Sequence, residues 1–385
     1  MVNFEQEYDV YVATEIGDFS IGGVSQWIDS WIRYVVPYLR VRPVLVIEVA
    51  PTRGWIEYVK QFALITNVPG EKHEIEWKYP ISTFDVYFSL PTTEYTDEII
   101  KRARKVHLLS CPHSKLFRKS TEEAINSYHK IDSLVVHSSE KESIKTHRKY
   151  LHTRRQREIF DQDKVIDFYE GLIEAAEETI WIGVNEMDKI DHHIPNFYKF
   201  ENNLEAINND IVGFAARVEA RKNFHYLENV ESRALTNPDG LEWWETNYKN
   251  KISFNSVNVE PYTREKVEKF YESSEWGIFH GAYVNEPFGY SIFQSIDYGK
   301  IPIISKDWCK DMEYPFRANT VKQFETQVAK IKKLSIEERN TYLQHLRKYL
   351  LKFSSESNWR DNLLSIYNKS EDGVWLPGDL QPSNG

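Results

Sequence analysis

Cysteine, methionine and long apolar runs are scarce in this chain. Its two cysteines, Cys111 and Cys309, are too few for a disulfide scaffold or a four-cysteine zinc site. No apolar run reaches the roughly 18 residues that a membrane-spanning helix needs. Glu5, Glu7 and Asp9 make the first segment unlike a signal or transit peptide. We therefore expect a protein of the reducing cytoplasm with no integral membrane contact.

Positive charge is also in deficit. The 385 residues include 48 Lys and Arg against 58 Asp and Glu, which gives a formal net charge of −10. This balance excludes a generic binder of polyanions over its whole surface, but it leaves room for a local basic groove.

Aromatic side chains, in contrast, are abundant, with 23 Tyr, 20 Phe and 11 Trp. Such a content is typical of a thick core or of surfaces that stack on a ligand, and composition does not separate the two. The chain is 41% hydrophobic and 28% charged, as soluble globular proteins are. At roughly 150 residues per domain, its length predicts two domains or three.

Short apolar runs alternate with helical patterns through the first half of the chain. Six runs are typical of buried strands: 8–14, 44–49, 84–89, 106–110, 133–137 and 179–184. An amphipathic helix is predicted through Trp27, Trp31 and Leu39. Strands separated by helices indicate a parallel, doubly wound sheet. The polar stretch 185–209, with Pro195 and repeated Asn, is predicted to be a linker.

A second series of the same kind follows. Strands are predicted at 210–215, 252–259, 277–280 and 301–305, and helices at 222–230, 264–271 and 291–298. The fold class is therefore α/β with two successive units. Such an arrangement places a ligand in the cleft between the units, at the carboxyl ends of the strands.

Three motifs follow predicted strands. Gly22 and Gly23 stand between a strand and a helix, where glycine lets the backbone approach a ligand and free N–H groups favour phosphate. A Gly-Gly pair is also an ordinary turn. The spacing lacks the full GxGxxG pattern and the Walker lysine.

The second motif is the run from Arg217 to Asn223, directly after the first strand of the second unit. Arg217 and Lys222 can clamp a diphosphate leaving group there, or they can be ordinary charges on a solvated helix start. The third runs from Glu286 through Phe288, Gly289 and Tyr290. It can hold sugar hydroxyls and a phosphate, or it can be a turn closed by Pro and Gly.

In combination, these motifs resemble the retaining nucleotide-sugar glycosyltransferases of the GT-B fold, in particular their large fourth family. The similarity includes the Gly-Gly loop at 22–23, the R-x-E-x-R-K-N run at 217–223 and the block 286–304. It also includes a helix between Phe353 and Tyr367, which in that family crosses back to the first domain. The resemblance implies two Rossmann-like doubly wound domains at 1–200 and 201–350 with an interdomain cleft, and a crossing helix and tail at 351–385.

The resemblance also implies roles for single residues. Arg217 and Lys222 would bind the donor diphosphate, and Glu286 would hold the donor sugar. The other expected donor-side residues are His113, Gly22, Gly23, Val24, Phe288, Gly289, Tyr290 and Gln294. Gln294 stands where the family usually has a second Glu that contacts the ribose. An amide can accept one hydrogen bond and donate another, but it lacks the charge.

The activity implied is that of a retaining hexosyl- or pentosyltransferase. The expected donor is a UDP-sugar, with front-face attack on the anomeric carbon and no covalent enzyme intermediate. No metal and no cofactor are expected, and the acidic triplet at 161–163 is interpreted as surface. The other hypothesis for the donor site is a GT-B protein that binds a nucleotide-sugar without turnover.

Two classes of acceptor are open. Residues 113–119 and 131–138 are similar to phage DNA α-glucosyltransferases, which glycosylate 5-hydroxymethylcytosine in duplex DNA. Basic runs at 101–105 and 147–157 can follow a phosphate backbone, or they can be solvated helix faces. The expected DNA contacts are Lys115, Arg118, Arg148, Lys149, Arg154 and Arg155. The alternative acceptor is a glycan or a lipid-linked sugar.

Overall fold

The computed structural model describes most of the chain. The described residues are 7–13, 23–47, 63–65, 72–77, 83–88, 94–110, 120–137, 162–216, 220–236, 257–259 and 264–367. All statements below concern these residues.

The first half forms a sheet of nine strands. They are β1 (Tyr8–Ala13), β2 (Arg42–Ile47), β3 (Ala63–Ile65), β4 (Lys72–Trp77), β5 (Thr83–Phe88), β6 (Lys105–Leu108), β7 (Ser133–Val136), β8 (Thr179–Trp181) and β9 (His192–His193). Their spatial order is β3-β4-β5-β2-β1-β6-β7-β8-β9. The parallel strands β5-β2-β1-β6-β7-β8 thus follow the 3-2-1-4-5-6 order of a Rossmann domain.

The second half forms a parallel sheet of five strands. They are β10 (Val212–Ala215), β11 (Ser232–Thr236), β12 (Val257–Val259), β13 (Ile278–Gly281) and β14 (Ile301–Ile304). The spatial order β12-β11-β10-β13-β14 repeats the 3-2-1-4-5 pattern. Two doubly wound α/β units are therefore present, as the strand and helix pattern predicts.

Helices connect and cover the strands. They are α1 (Gly23–Tyr34), α2 (Glu94–Lys101), α3 (Thr121–Asn126), α4 (Gln162–Ala175), α5 (Arg264–Glu272), α6 (Tyr290–Asp297), α7 (Val321–Ile331), α8 (Ile336–Leu350) and α9 (Glu356–Tyr367). Ser335 and Glu338 form a reciprocal capping box at the start of α8, which satisfies backbone donors that the helix leaves unpaired.

Burial explains why β1 is apolar except at Asp9. Every residue of β1 is buried, because the strand lies between β2 and β6 and both faces of the sheet are covered. One face packs against α1 through Trp27 and Trp31, and α9 joins the same core through Trp359 and Tyr367. The last helix of the described chain thus packs against the first sheet.

Two sequence-based predictions are corrected in the second unit. The stretch 222–230 is not an α-helix but two 3₁₀ turns, Ala220–Lys222 and Phe224–Leu227. Asn223 between them adopts φ 52° and ψ 38°, a left-handed conformation that a continuous α-helix does not allow. The strand Ser232–Thr236 that follows was missed, as was the antiparallel pair of β3 and β4 at the sheet edge.

The stretch 185–209 is more structured than a linker. His192 and His193 form β9, which pairs with β8. Asp297, at the end of α6, accepts hydrogen bonds from the backbone N–H groups of Glu201, Asn202 and Asn203 at 2.9 to 3.1 Å. One buried carboxylate therefore anchors the connection between the two sheets.

Candidate functional site

The topology of each sheet defines one place where a ligand can enter. Successive connections leave to opposite sides between β1 and β6, and again between β10 and β13. A crevice opens at the carboxyl ends of the strands at such a switch point. Among the described motif residues, Lys222 follows β10 and Glu286 follows β13, so the strand order assigns both to the crevice of the second sheet.

Lys222 and Glu286 come together although 64 positions separate them. Lys222 Nζ donates a hydrogen bond to Glu286 Oε2 at 2.5 Å. The two side chains are only 14% and 15% exposed. Lys222 Nζ also lies 4.1 Å from the centroid of the Tyr283 ring, a cation–π distance. A largely desolvated ion pair therefore marks the carboxyl ends of β10 and β13.

Backbone hydrogen bonds lock together the two loops that carry this pair. Val284 N–H donates to Arg221 O at 2.8 Å, and the Asn223 side-chain amide donates to Ala282 O at 2.7 Å. The loop after β10 and the loop after β13 are thus held in one arrangement.

The buried His280 ring forms further hydrogen bonds with both loops. Its Nε2 lies 3.0 Å from Asn223 O, and Ala282 N–H donates to its Nδ1 at 3.3 Å. The ring is therefore a donor at Nε2 and an acceptor at Nδ1, the pattern of a neutral imidazole. Burial lowers the pKa of His280 to about 3, so the ring stays neutral at physiological pH.

The loop from Glu286 to α6 is shaped by Gly289. This residue has a φ of 81°, which a side chain would strain, and a Cβ there would lie 3.2 Å from Trp308 Nε1. The same indole nitrogen, Trp308 Nε1–H, donates a hydrogen bond to Phe288 O at 2.9 Å. Within the part of the chain that the structure describes, no side chain caps the start of α6. Its N-terminus therefore presents backbone donors and the positive end of the helix dipole.

The first unit meets this loop through the start of α1. A Cβ built on Gly23 would lie 3.9 Å from Tyr290 Cδ2, so the two helix starts are neighbours. Burial raises the pKa of Tyr290, and the nearby negative charge of Asp29 raises it further. Val24 packs partly against the core of the first unit.

Two predicted donor-side residues differ in how they are placed. The Phe288 side chain is buried and stacks on Phe293 with ring centroids 4.5 Å apart, so it shapes the loop from within the core. Gln294 lies on α6, four residues after Tyr290, and is half-buried.

The remaining predicted site residues lie outside the described part of the chain. They are Gly22, His113, Arg217, Lys115, Arg118, Arg148, Lys149, Arg154 and Arg155. Their roles stay predictions.

The contacts also identify residues that sequence reasoning missed. Tyr283, Asn223 and His280 hold or flank Lys222, and only their places beside Lys222 and Glu286 in the printed sequence hint at this. Within the described ranges, no group of three or more His, Cys, Asp or Glu side chains is placed to hold a metal ion. Within the same ranges, no helix is long and apolar enough to cross a membrane.

No protein-family model matches the sequence, and no curated protein matches it. Solved structures do match over almost the full length. The α,α-trehalose 6-phosphate synthase from Burkholderia multivorans covers 94% of this chain and 98% of its own, with a TM-score of 0.55 and 9% identity. The structure of TarM covers 95% of this chain and 100% of its own, with a TM-score of 0.56 and 9% identity.

A third structure, described as trehalose-6-phosphate from E. coli bound with UDP-2-fluoro glucose, covers 94% and 99%, with a TM-score of 0.51 and 8% identity. These neighbours are GT-B glycosyltransferases with two Rossmann-like domains. At such low identity the likeness concerns the fold, and the chain has the GT-B fold.

Proposed function

We propose that this chain is a glycosyltransferase that moves a sugar from a nucleotide-sugar donor to an acceptor hydroxyl. The observation that carries the proposal is the pair of Lys222 and Glu286 at the carboxyl ends of β10 and β13, opposite the start of α1. A cation, a carboxylate and two helix starts meet there. These are the groups that a diphosphate joined to a sugar requires.

Each group has a distinct task in this proposal. Lys222 and Arg217 neutralise the diphosphate, and the uncapped start of α6 adds backbone donors. Glu286 accepts hydrogen bonds from the sugar hydroxyls. Because an ammonium has three donors, Lys222 can keep its bond to Glu286 while it binds a phosphate oxygen. The E. coli neighbour bound with UDP-2-fluoro glucose supports a UDP-sugar as the donor.

The chemical step breaks the bond between the anomeric carbon and the phosphate oxygen through an oxocarbenium-like state. We propose that the acceptor attacks from the same face, with retention, without a covalent intermediate and without a metal. Losing one electrostatic contact to the developing negative charge typically costs about 10²- to 10³-fold in rate. Comparing the anomeric configuration of donor and product by NMR tests retention, and an inverted product contradicts it.

The described residues favour a glycan or lipid-linked sugar over duplex DNA as acceptor. Of the basic run 101–105, Arg102 is paired with Glu98, and Arg104 forms two hydrogen bonds of 2.9 Å with Asp9. The run lies at the amino end of β6, the edge opposite to the crevice. This placement agrees with a solvated face. A 5-hydroxymethyl pyrimidine in phage DNA then depends on Lys115, Arg118 and the run 147–157, which lie outside the described residues.

Binding to hydroxymethylated duplex DNA at 50 and 200 mM salt decides between the acceptors. A glycan acceptor predicts weak binding that changes little with salt, whereas a DNA acceptor predicts tight binding that falls steeply. A cytoplasmic location and domains at 1–200, 201–350 and 351–385 belong to the same proposal.

A donor screen tests the activity itself. Wild-type protein, Lys222→Met and Lys348→Met are incubated with UDP-, GDP- and ADP-sugars, and released nucleotide is measured. Lys348 is an exposed lysine of α8 and serves as the control. We expect release by the wild type and the control and loss in Lys222→Met. Thermal stabilisation by a nucleotide-sugar without release supports the non-catalytic alternative instead.

A further inference from the structure

A second pocket lies where the chain passes between the two sheets. Its volume is 530 Å³, within the range of small-molecule sites. Three segments line it: the chain that follows β8, the turn that follows β14, and the region from Lys352 to the first turns of α9. A ligand held there contacts both units of the fold at once.

The pocket is separate from the candidate donor site but adjoins it. Neither Lys222 nor Glu286 lines it. Val184, in its wall, donates its backbone N–H to Pro287 O at 2.8 Å, directly beside Glu286. The ring of Phe353, also in the wall, lies 6.1 Å from that of Phe288. Two residues that line the pocket therefore contact the loop 286–288 of the candidate donor site.

The lining favours a ligand without net charge. Neutral side chains that can donate and accept hydrogen bonds line the pocket: Asn196, Ser355, Asn358 and Asn362. The acidic Glu186 and Asp311 balance the basic Lys310 and Lys352 at the exposed rim. The rim charges therefore give neither an anion nor a cation a large gain in binding free energy.

Trp359, in the first turns of α9, lines the pocket. Phe197, whose ring lies 5.0 Å from Trp359, adds an aromatic wall.

From these observations we propose that this junction pocket binds an uncharged saccharide. Hydroxyl groups both donate and accept, so a saccharide can form hydrogen bonds with the exposed amides of Asn358 and Asn362 and with the Ser355 hydroxyl. Sugar rings also present apolar C–H faces that pack on indole and phenyl rings. The inference concerns a different set of residues from the donor site and does not depend on the nucleotide-sugar proposal.

Titration calorimetry of the full chain tests the pocket, with maltotriose, cellotriose and N,N′,N″-triacetylchitotriose as probes and glucose 6-phosphate as the charged comparison. The test variant is Asn358→Ala with Asn362→Ala, because both side chains are exposed and their loss leaves the core intact. The control is Ser365→Ala, an exposed residue of α9 outside the pocket. We expect at least one neutral trisaccharide to bind, and to bind roughly tenfold more weakly to the test variant alone.

Three results overturn the inference: no neutral trisaccharide binds, the test variant binds it unchanged, or glucose 6-phosphate binds more tightly. A fourth measurement separates the two sites. Saturating UDP should leave trisaccharide binding in place, and full displacement would put the sugar in the donor crevice instead. Failure of UDP to bind bears only on the proposed function.

Discussion

The ion pair of Lys222 and Glu286 allows stability and activity to be separated by substitution. Replacing Lys222 with Met removes the ammonium that is hydrogen-bonded to the largely desolvated Glu286 carboxylate. Breaking a fully buried pair typically costs about 3 to 5 kcal/mol of unfolding free energy. The two side chains are 14% and 15% exposed, so this pair is not fully buried. We therefore expect Lys222→Met to lower the free energy of unfolding by about 2 to 3 kcal/mol.

The double variant Lys222→Met with Glu286→Gln removes both charges. Replacing both partners of a buried pair is often close to neutral, so the double variant should be more stable than Lys222→Met alone. Its activity should remain at least 10²-fold below wild type, since the cation that we propose binds the diphosphate is still absent.

Urea unfolding of the wild type, both single variants and the double variant gives the coupling free energy, and nucleotide release on the same samples gives the activity. A double variant no more stable than Lys222→Met would show that the pair does not exist in solution. A Lys222→Met enzyme with near wild-type rate would show that the diphosphate clamp is misassigned.

Three further predictions address the loop, the sugar contact and the response to acid. Gly289→Ala should cost about 1 to 3 kcal/mol of stability, because φ is 81° and the loop must shift; unchanged urea unfolding and activity would contradict this. Glu286→Ala should weaken use of the donor sugar more than UDP affinity, and calorimetry showing an equal loss of UDP affinity would refute its role. Burial lowers the pKa of His107 to about 3, of His137 to about 4 and of His280 to about 3, against 6.5 for the exposed group. Below pH 6.5 these three histidines therefore bind protons in the unfolded chain but not in the folded chain. The free energy of unfolding that is present above pH 6.5 is lost as the pH falls toward 4. Between pH 6.5 and 5.5 each histidine should cost about 1 kcal/mol, and unfolding curves that do not move over this interval would be incompatible with three buried neutral rings.

The sequence predicts the fold where a structural signal is local. Strand β14 is an apolar run and β1 is apolar except at Asp9, because both faces of each sheet are covered, and α1 repeats Trp27, Ile28 and Trp31 at helical spacing. The antiparallel pair β3 and β4 was missed because β4 alternates acidic and apolar residues, a weaker signal at a sheet edge.

In the candidate site, too, some residues could be predicted from the sequence and others could not. Lys222 and Glu286 were predicted from the motifs that follow two strands, and the parallel strand order accounts for their meeting. The parts that hold them were not predictable. Asn223 adopts a left-handed conformation because His280 and Ala282 bind it, and Asp297 anchors a segment about 95 residues away. Such contacts depend on the tertiary fold and produce no recognisable residue pattern in the sequence.

Binding of UDP to the full-length protein tests the central claim most directly. Calorimetry should show UDP binding to wild type and to Lys348→Met, and at least tenfold weaker binding to Lys222→Met, because a cation at the diphosphate is lost only in the last. Equal affinity in all three proteins, or no binding of UDP, GDP or ADP to any of them, would contradict a nucleotide-sugar site at Lys222 and Glu286.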